Sequence, residues 1–171
     1  DPVSFPLELD TASEAWAAER WAQAGLARAY VIAVFPGAAF PHKQWPLSHY
    51  VTLCRSLGAR WRVRFVLLGL DSDRPLTREL GTQLDVRPVD LAGQTSLGQL
   101  AAVLKRCQLF VGNDGGPAHL ASALGCPCVT IMSGIEYPGL WEPWGSREAA
   151  LRHDVECSPC FAFSRCPRGT G

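Results

Sequence analysis

Neither charge is in surplus: sixteen Lys and Arg stand against sixteen Asp and Glu. No overall field therefore draws the chain onto a phosphate polymer or an anionic bilayer, which disfavours nucleic-acid binding. Any anion recognised here has to be held by a local arrangement of donors. Long apolar runs are missing too. The strongest, Val31 to Phe35 and Phe65 to Leu70, fall far short of the roughly 20 residues that cross a bilayer. There is no basic-then-apolar leader, and the only methionine is Met132; the expectation is an excised or processed piece of a longer polypeptide. No internal repeat and no low-complexity tract is visible.

What is present describes one folded domain. The 171 residues are 47% hydrophobic and 19% charged, enough to bury a single core and too apolar for extensive disorder. The seven cysteines divide into two groups. Cys54, Cys107, Cys126 and Cys128 sit inside apolar segments, where cysteine behaves as a small buried hydrophobe, and a reduced, cytosolic protein fits this usage. Cys157, Cys160 and Cys166 form a separate group near the end. With His153 they could be ligands of a zinc site, or they are free thiols on a tail.

Apolar patterning alternates between two periods along the chain. After an extended, proline-punctuated stretch over residues 1–10, Thr11 or Ser13 is placed to cap a helix running to about Ala24 and ended by Gly25. Tyr30 to Phe35 is a continuous β-branched and aromatic run stopped by Pro36-Gly37, as expected of a strand buried on both faces. Helical spacing follows over Leu47 to Leu57, Arg74 to Leu84, Leu97 to Cys107 and Pro117 to Leu124. Strands are expected at Val63 to Leu68, Val86 to Leu91, Leu109 to Gly112 and Cys128 to Met132. Such alternation predicts an α/β fold with a parallel sheet flanked by helices, because each parallel crossover needs a helix-length connection. The expected division is residues 1–28 as linker and opening helix, 29–156 as a Rossmann-like domain, and 157–171 as a cysteine-containing tail.

Ligands of such sheets bind beyond the carboxyl ends of the strands, and the polar, glycine-rich clusters of this chain fall there. Val111-Gly-Asn-Asp-Gly-Gly-Pro-Ala-His119 runs from a strand straight into a helix start. Unpaired amides around Gly115 and Gly116 could cradle a diphosphate there, His119 could donate to a phosphate oxygen, and Asp114 could accept from a sugar hydroxyl. The competing reading is a tight turn with Asn or Asp as a cap. A second loop, Pro36 to Pro46, delivers Lys43, a point charge suited to phosphate or else a solvated surface cation. In that loop His42 is expected to be solvated, and Trp45 with Pro46 to anchor the loop on the following helix. Asp71 and Asp73, at the end of the second strong strand, could receive ribose hydroxyls or cap the next helix.

Taken together, Pro36-Gly-Ala with Lys43-Gln-Trp-Pro46, then Leu91-Ala-Gly-Gln-Thr-Ser-Leu97, then Gly112-Asn-Asp-Gly-Gly-Pro-Ala-His-Leu-Ala121 resemble the family 9 glycosyltransferases, the lipopolysaccharide heptosyltransferases. The resemblance runs over about residues 26–166, with the motifs in the family's order. It implies the C-terminal, donor-binding half of a GT-B enzyme that takes heptose from ADP-heptose with inversion. It further implies that the acceptor site, for a lipid-linked oligosaccharide, and the general base lie in an N-terminal domain outside this chain, so the chain alone would be inactive and holds no base. By motif, Lys43 would pair with the diphosphate and Asp71, or Asp73, would take the ribose. Thr95 would lie near adenine, and Asp114, Gly115, Gly116 and His119 would surround the phosphates and heptose. Lys43 and His119 would stabilise the leaving group in place of a metal, and neither metal nor cofactor is expected. The implied location is cytoplasmic, peripheral at the inner membrane.

Two departures stand out. Gly115 occupies a position where the family usually has threonine or serine, and Met132 to Pro138 differs from its usual aromatic-Gly-Pro-Thr, although Trp141-Glu-Pro143 keeps the later Trp-x-Pro. The rival from another class is a non-catalytic module that binds a nucleotide or nucleotide sugar. A nicotinamide enzyme is disfavoured because no G-x-G-x-x-G follows the strand at Val31 to Phe35.

Overall fold

The computed structural model describes residues 7–145, 147–153, 155–162 and 166. Much of the proline-punctuated start and of the expected tail therefore lies outside the described residues. In chain order the elements are α1 (Thr11–Gln23), β1 (Tyr30–Phe35), α2 (Leu47–Arg60), β2 (Val63–Leu67), α3 (Arg74–Thr82), β3 (Val89–Asp90), α4 (Leu97–Leu104), β4 (Leu109–Asn113), α5 (Gly116–Ala123), β5 (Cys128–Ile131) and β6 (Glu148–Leu151). Short 3-10 turns at Pro41–Lys43 and Asp71–Asp73 occupy segments that the sequence presents as loops.

The strands form one parallel sheet in the order β3-β2-β1-β4-β5-β6. The chain builds outward from β1 to β3, then returns to lay β4 on the other side of β1. That reversal makes β1 and β4 neighbours, and in open α/β sheets the crevice beyond their carboxyl ends is where ligands sit.

Alternation along the strands explains the unbroken apolar runs. In β1, Val31 and Ala33 face a core built with Ala17 and Trp21 of α1, Ala102 to Leu104 of α4, and Ala118 and Ala121 of α5. Ile32 and Val34 face the opposite core, with Tyr50, Val51 and Cys54 of α2 and Leu80 of α3. A strand covered on both sides shows no polar alternation, because side chains of both parities lose water. Cys54, Cys107, Cys126 and Cys128 are buried, as their apolar settings suggested.

Several boundaries differ from expectation for local reasons. The cap of α1 is Asp10, whose carboxylate accepts the Ser13 N–H at 2.8 Å. Thr11 and Ser13 lie within the helix. Pairing of β3 begins at Val89, after Pro88, which has no N–H to give to a ladder. β6 had no counterpart in the sequence reading. Its Glu-Ala-Ala-Leu sequence carries no β-branched residue and lies mostly exposed at the sheet edge, held by backbone pairing to β5.

Candidate functional site

The loop after β1 and the turn after β4 meet at the carboxyl edge of the sheet. Asn113, the last residue of β4, joins them. Only 4% exposed, it donates from Nδ2 to the carbonyls of Pro36 (2.8 Å) and Gly37 (3.1 Å), and its Oδ1 accepts from the Trp45 N–H and the Tyr50 hydroxyl, both at 3.0 Å. Trp45 packs edge-on against Tyr50 and beside His49, so it does anchor the loop to α2. Burial drives the Tyr50 hydroxyl well above the usual phenol range, which keeps it a proton donor to Asn113. Sequence reading gave Asn113 only the part of a turn or cap residue. Its signal, an amide ending a buried strand, is no different from that of a turn residue.

This scaffold presents Lys43 to the start of α5. Lys43 Nζ lies 2.8 Å from Asp114 Oδ2, across 71 positions of sequence, and 3.3 Å from Glu136 Oε2. The three side chains are 13%, 8% and 14% exposed. Burial by itself would lower the lysine's pKa, but the two carboxylates outweigh it and hold the ammonium above its ordinary range. One ammonium between two carboxylates leaves this cluster with a net negative charge. Glu136 was not a sequence candidate; it lies in the segment that departs from the family pattern. Arg152, which follows β6, fixes that segment: its guanidinium donates to the carbonyls of Ser133 and Glu136 (3.0 Å for Glu136) and pairs with Glu142 at 3.2 Å.

The other candidates lie at the same edge with different degrees of engagement. Gly116 opens α5 with nothing within 4 Å of where a Cβ would be, so the first turn of the helix is accessible. His119, half-buried on that turn, makes no side-chain hydrogen bond or ion pair among the described residues. At Gly115 the backbone is extended, with φ 168°, and a Cβ would meet only Pro117 Cδ at 3.8 Å. Backbone geometry therefore does not demand glycine there, and a serine or threonine would fit.

Asp71 and Asp73 behave differently from each other. Asp73 accepts the Leu70 N–H at 2.8 Å, and its carboxylate is wedged against Gly37, where an added Cβ would lie 2.5 Å from Oδ2. The bond runs back to Leu70 and closes the 3-10 turn; the side chain makes no cap bond to α3, so it does not take the helix-capping alternative raised from the sequence. Asp71 is open, 82% exposed, with Arg74 at 3.1 Å and with Gly93 pressed against its backbone. Thr95 is half-buried in the turn before α4. His42 departs from expectation: it stacks on Phe40 at 5.6 Å, and its Nε2 is buried without a hydrogen-bond partner. Among the described residues, Cys157, Cys160, Cys166 and His153 included, no three His, Cys, Asp or Glu side chains are gathered with metal-binding geometry.

The sequence matches the family model "Glycosyltransferase family 9 (heptosyltransferase)" over residues 4–167. This chain belongs to glycosyltransferase family 9. Lipopolysaccharide heptosyltransferase 2 of Escherichia coli K12 is 32% identical over 114 residues, covering 64% of this chain and 32% of the relative. A glycosyl transferase family 9 structure from Veillonella parvula superposes with a TM-score of 0.81 at 26% identity, over 88% of this chain and 43% of that one. E. coli ADP-heptose lps heptosyltransferase II does so with a TM-score of 0.73 at 25% identity, over 90% and 50%. The family 9 chain described here thus spans about a third of the curated relatives it matches, and its six-stranded sheet corresponds to half of a GT-B heptosyltransferase. No helix among the described residues is long and apolar enough to cross a membrane.

Proposed function

We propose that this chain is the donor-binding half of an inverting heptosyltransferase of lipopolysaccharide core synthesis, and that it holds ADP-heptose at the carboxyl edge between β1 and β4. The observation that carries this reading is the approach of Lys43 to Asp114 at the mouth of α5, which brings a cation, a hydroxyl acceptor and open helix amides to one place. The donor class rests on the resemblance and on the E. coli relative whose name includes ADP-heptose.

In this reading the diphosphate lies over the amides around Gly115 and Gly116, where the helix dipole and unpaired N–H groups favour an anion. Lys43 and His119 face it. As an acceptor hydroxyl displaces the diphosphate from the anomeric carbon, negative charge grows on the bridging oxygen, and these fixed donors stabilise it. Asp114 receives heptose hydroxyls, and Thr95 borders the adenine. Asp71, open and exposed, suits the ribose better than Asp73, one of whose oxygens is already bonded to Leu70. The acceptor site and general base belong to the part of the relatives that this chain does not match, so transfer requires that part. We place the work at the cytoplasmic face of the inner membrane.

Calorimetry with ADP, UDP and NAD tests the site. ADP should bind most tightly, and Lys43→Ala should weaken it by at least about tenfold, the worth of a charge-assisted contact. Equal affinity for all three, or no loss in the variant, would overturn the reading. Gly115, which lacks the family's usual hydroxyl, favours the alternative of a module that binds the nucleotide sugar without transferring it. Transfer by the full-length protein from ADP-heptose to a lipid-linked acceptor separates the two.

A further inference from the structure

The opposite, amino edge of the sheet carries a second cationic feature. A cleft of about 570 Å³ lies between the turn that follows α1 and the turn that joins α2 to β2, and Arg28, Arg60, Arg62 and Arg64 line it with Trp61. Among the described residues, none of these guanidinium groups has a side-chain hydrogen bond or an acidic side chain within ion-pair distance. In a chain of zero net charge, four such cations without counter-charges are a local concentration. The carbonyl end of α2 accounts for one cation in its last turn, Arg60, and Arg60 also lies over the half-exposed Trp61 ring, 5.1 Å from its centroid.

Arg64 is the decisive residue. It stands on β2 opposite Val31, and its Nε is buried with no hydrogen-bond partner. Buried donors are paired in the great majority of cases, and a buried guanidinium nitrogen without a partner is costly to leave so. The nitrogens of an arginine fork fit two oxygens of one oxyanion. A phosphate monoester, with nearly two negative charges and three acceptor oxygens, matches several cations better than a carboxylate does.

We infer that the cleft formed by Arg28, Arg60, Arg62, Arg64 and Trp61 is an anion site for a phosphate-bearing group, separate from the donor site. Arg64 supplies the inner bidentate contact, Arg28 and Arg62 the outer charge, and the Trp61 ring one wall. The phosphate comes either from a free phosphorylated molecule or from a lipid headgroup at a membrane surface.

The test uses the full-length protein in parallel arms at fixed low ionic strength. One arm is calorimetry with inorganic phosphate at saturating ADP, with acetate as the carboxylate control. The other is co-sedimentation with vesicles of phosphatidic acid, whose headgroup is a phosphate monoester, in phosphatidylcholine, against phosphatidylcholine alone. Binding is expected in at least one arm, weaker or absent for acetate and for neutral vesicles. The exposed double variant Arg28→Glu/Arg62→Glu should lose at least about tenfold in that binding, and Arg64→Met a comparable amount. Unchanged thermal unfolding of the double variant shows that the fold is intact. Phosphate binding without vesicle binding assigns a soluble ligand, and the reverse assigns a lipid surface. Binding in neither arm, or binding that survives both variants, overturns the inference.

Discussion

The two ends of this sheet handle charge in opposite ways. At the carboxyl end, Lys43 is largely buried and shared by Asp114 and Glu136. At the amino end, Arg28, Arg60, Arg62 and Arg64 have no acidic partner among the described residues. A chain whose formal charges cancel therefore has a cation outnumbered by carboxylates at one pole and cations without counter-charges at the other. Burial alone does not decide which is which, since Arg64 Nε at the amino end is buried as well. A cation taken out of water needs partners or a ligand, whereas an exposed one is hydrated and screened. Net charge, the quantity most easily read from a sequence, is blind to this distinction.

The comparison is broken most forcefully at Asn113. Asn113→Ala removes four hydrogen bonds and leaves the Pro36 and Gly37 carbonyls without that donor. The expected loss is about 3 kcal/mol of unfolding free energy, measured by urea denaturation. Nucleotide binding should fall with it, because the Lys43 loop is no longer tied to β4. An unchanged denaturation midpoint would mean that the loop holds itself.

Next comes Lys43→Ala, which strands two carboxylates that keep slight solvent access. It should cost about 2 kcal/mol, less than for a fully buried pair. Its pH dependence is directional. Because the folded-state pKa is raised above the ordinary 10.5, the lysine's contribution is fully present below 10.5 and disappears as pH climbs through the folded value. The stability difference between parent and variant should thus stay constant from neutral pH up to that point and shrink beyond it. A difference that fades near neutrality would contradict the ion-pair geometry.

Glu136→Gln is a finer probe. It removes the longer of the two lysine contacts, 3.3 Å against 2.8 Å, and should change stability by under about 1 kcal/mol. By relieving repulsion of the diphosphate it should tighten ADP binding a few-fold. Weaker ADP binding would identify Glu136 as the group that orients Lys43. The smallest effect belongs to the amino end: Arg28→Glu/Arg62→Glu should leave stability within about 0.5 kcal/mol, as for exposed side chains without partners. A larger loss in chemical denaturation would reveal a structural role for these arginines.

The sheet was readable where burial on both faces left continuous apolar strands. β1 carries that mark unbroken, β2, β4 and β5 carry it with Arg64, Asn113 and Thr130 as polar exceptions, and the helices between them follow from spacing. β6 carried no mark because its pairing is by backbone alone, and Ala149 and Ala150 bury nothing that would bias the composition. The candidate site divides in the same way. Lys43, Asp114 and His119 stand inside motifs with recognisable local spacing. Glu136 and Arg152 act through partners many positions away, and a carboxylate in a loop looks the same whether it faces water or a lysine. Asp73 offered a ligand or a cap of α3 to the sequence reading; its bond back to Leu70 and its fit against Gly37, a contact between loops separated by the whole of α2 and β2, leave no local signal.

Arg152 has a mechanical consequence. Its single guanidinium clasps Ser133, Glu136 and Glu142, so the excursion between β5 and β6 is stapled at its start and at its middle to the residue that follows β6. A push on the outermost strand is transmitted through that staple to Glu136 and from there to Lys43. The rim of the sheet and the Lys43 crevice are coupled like the two arms of a lever, with one arginine as the pin.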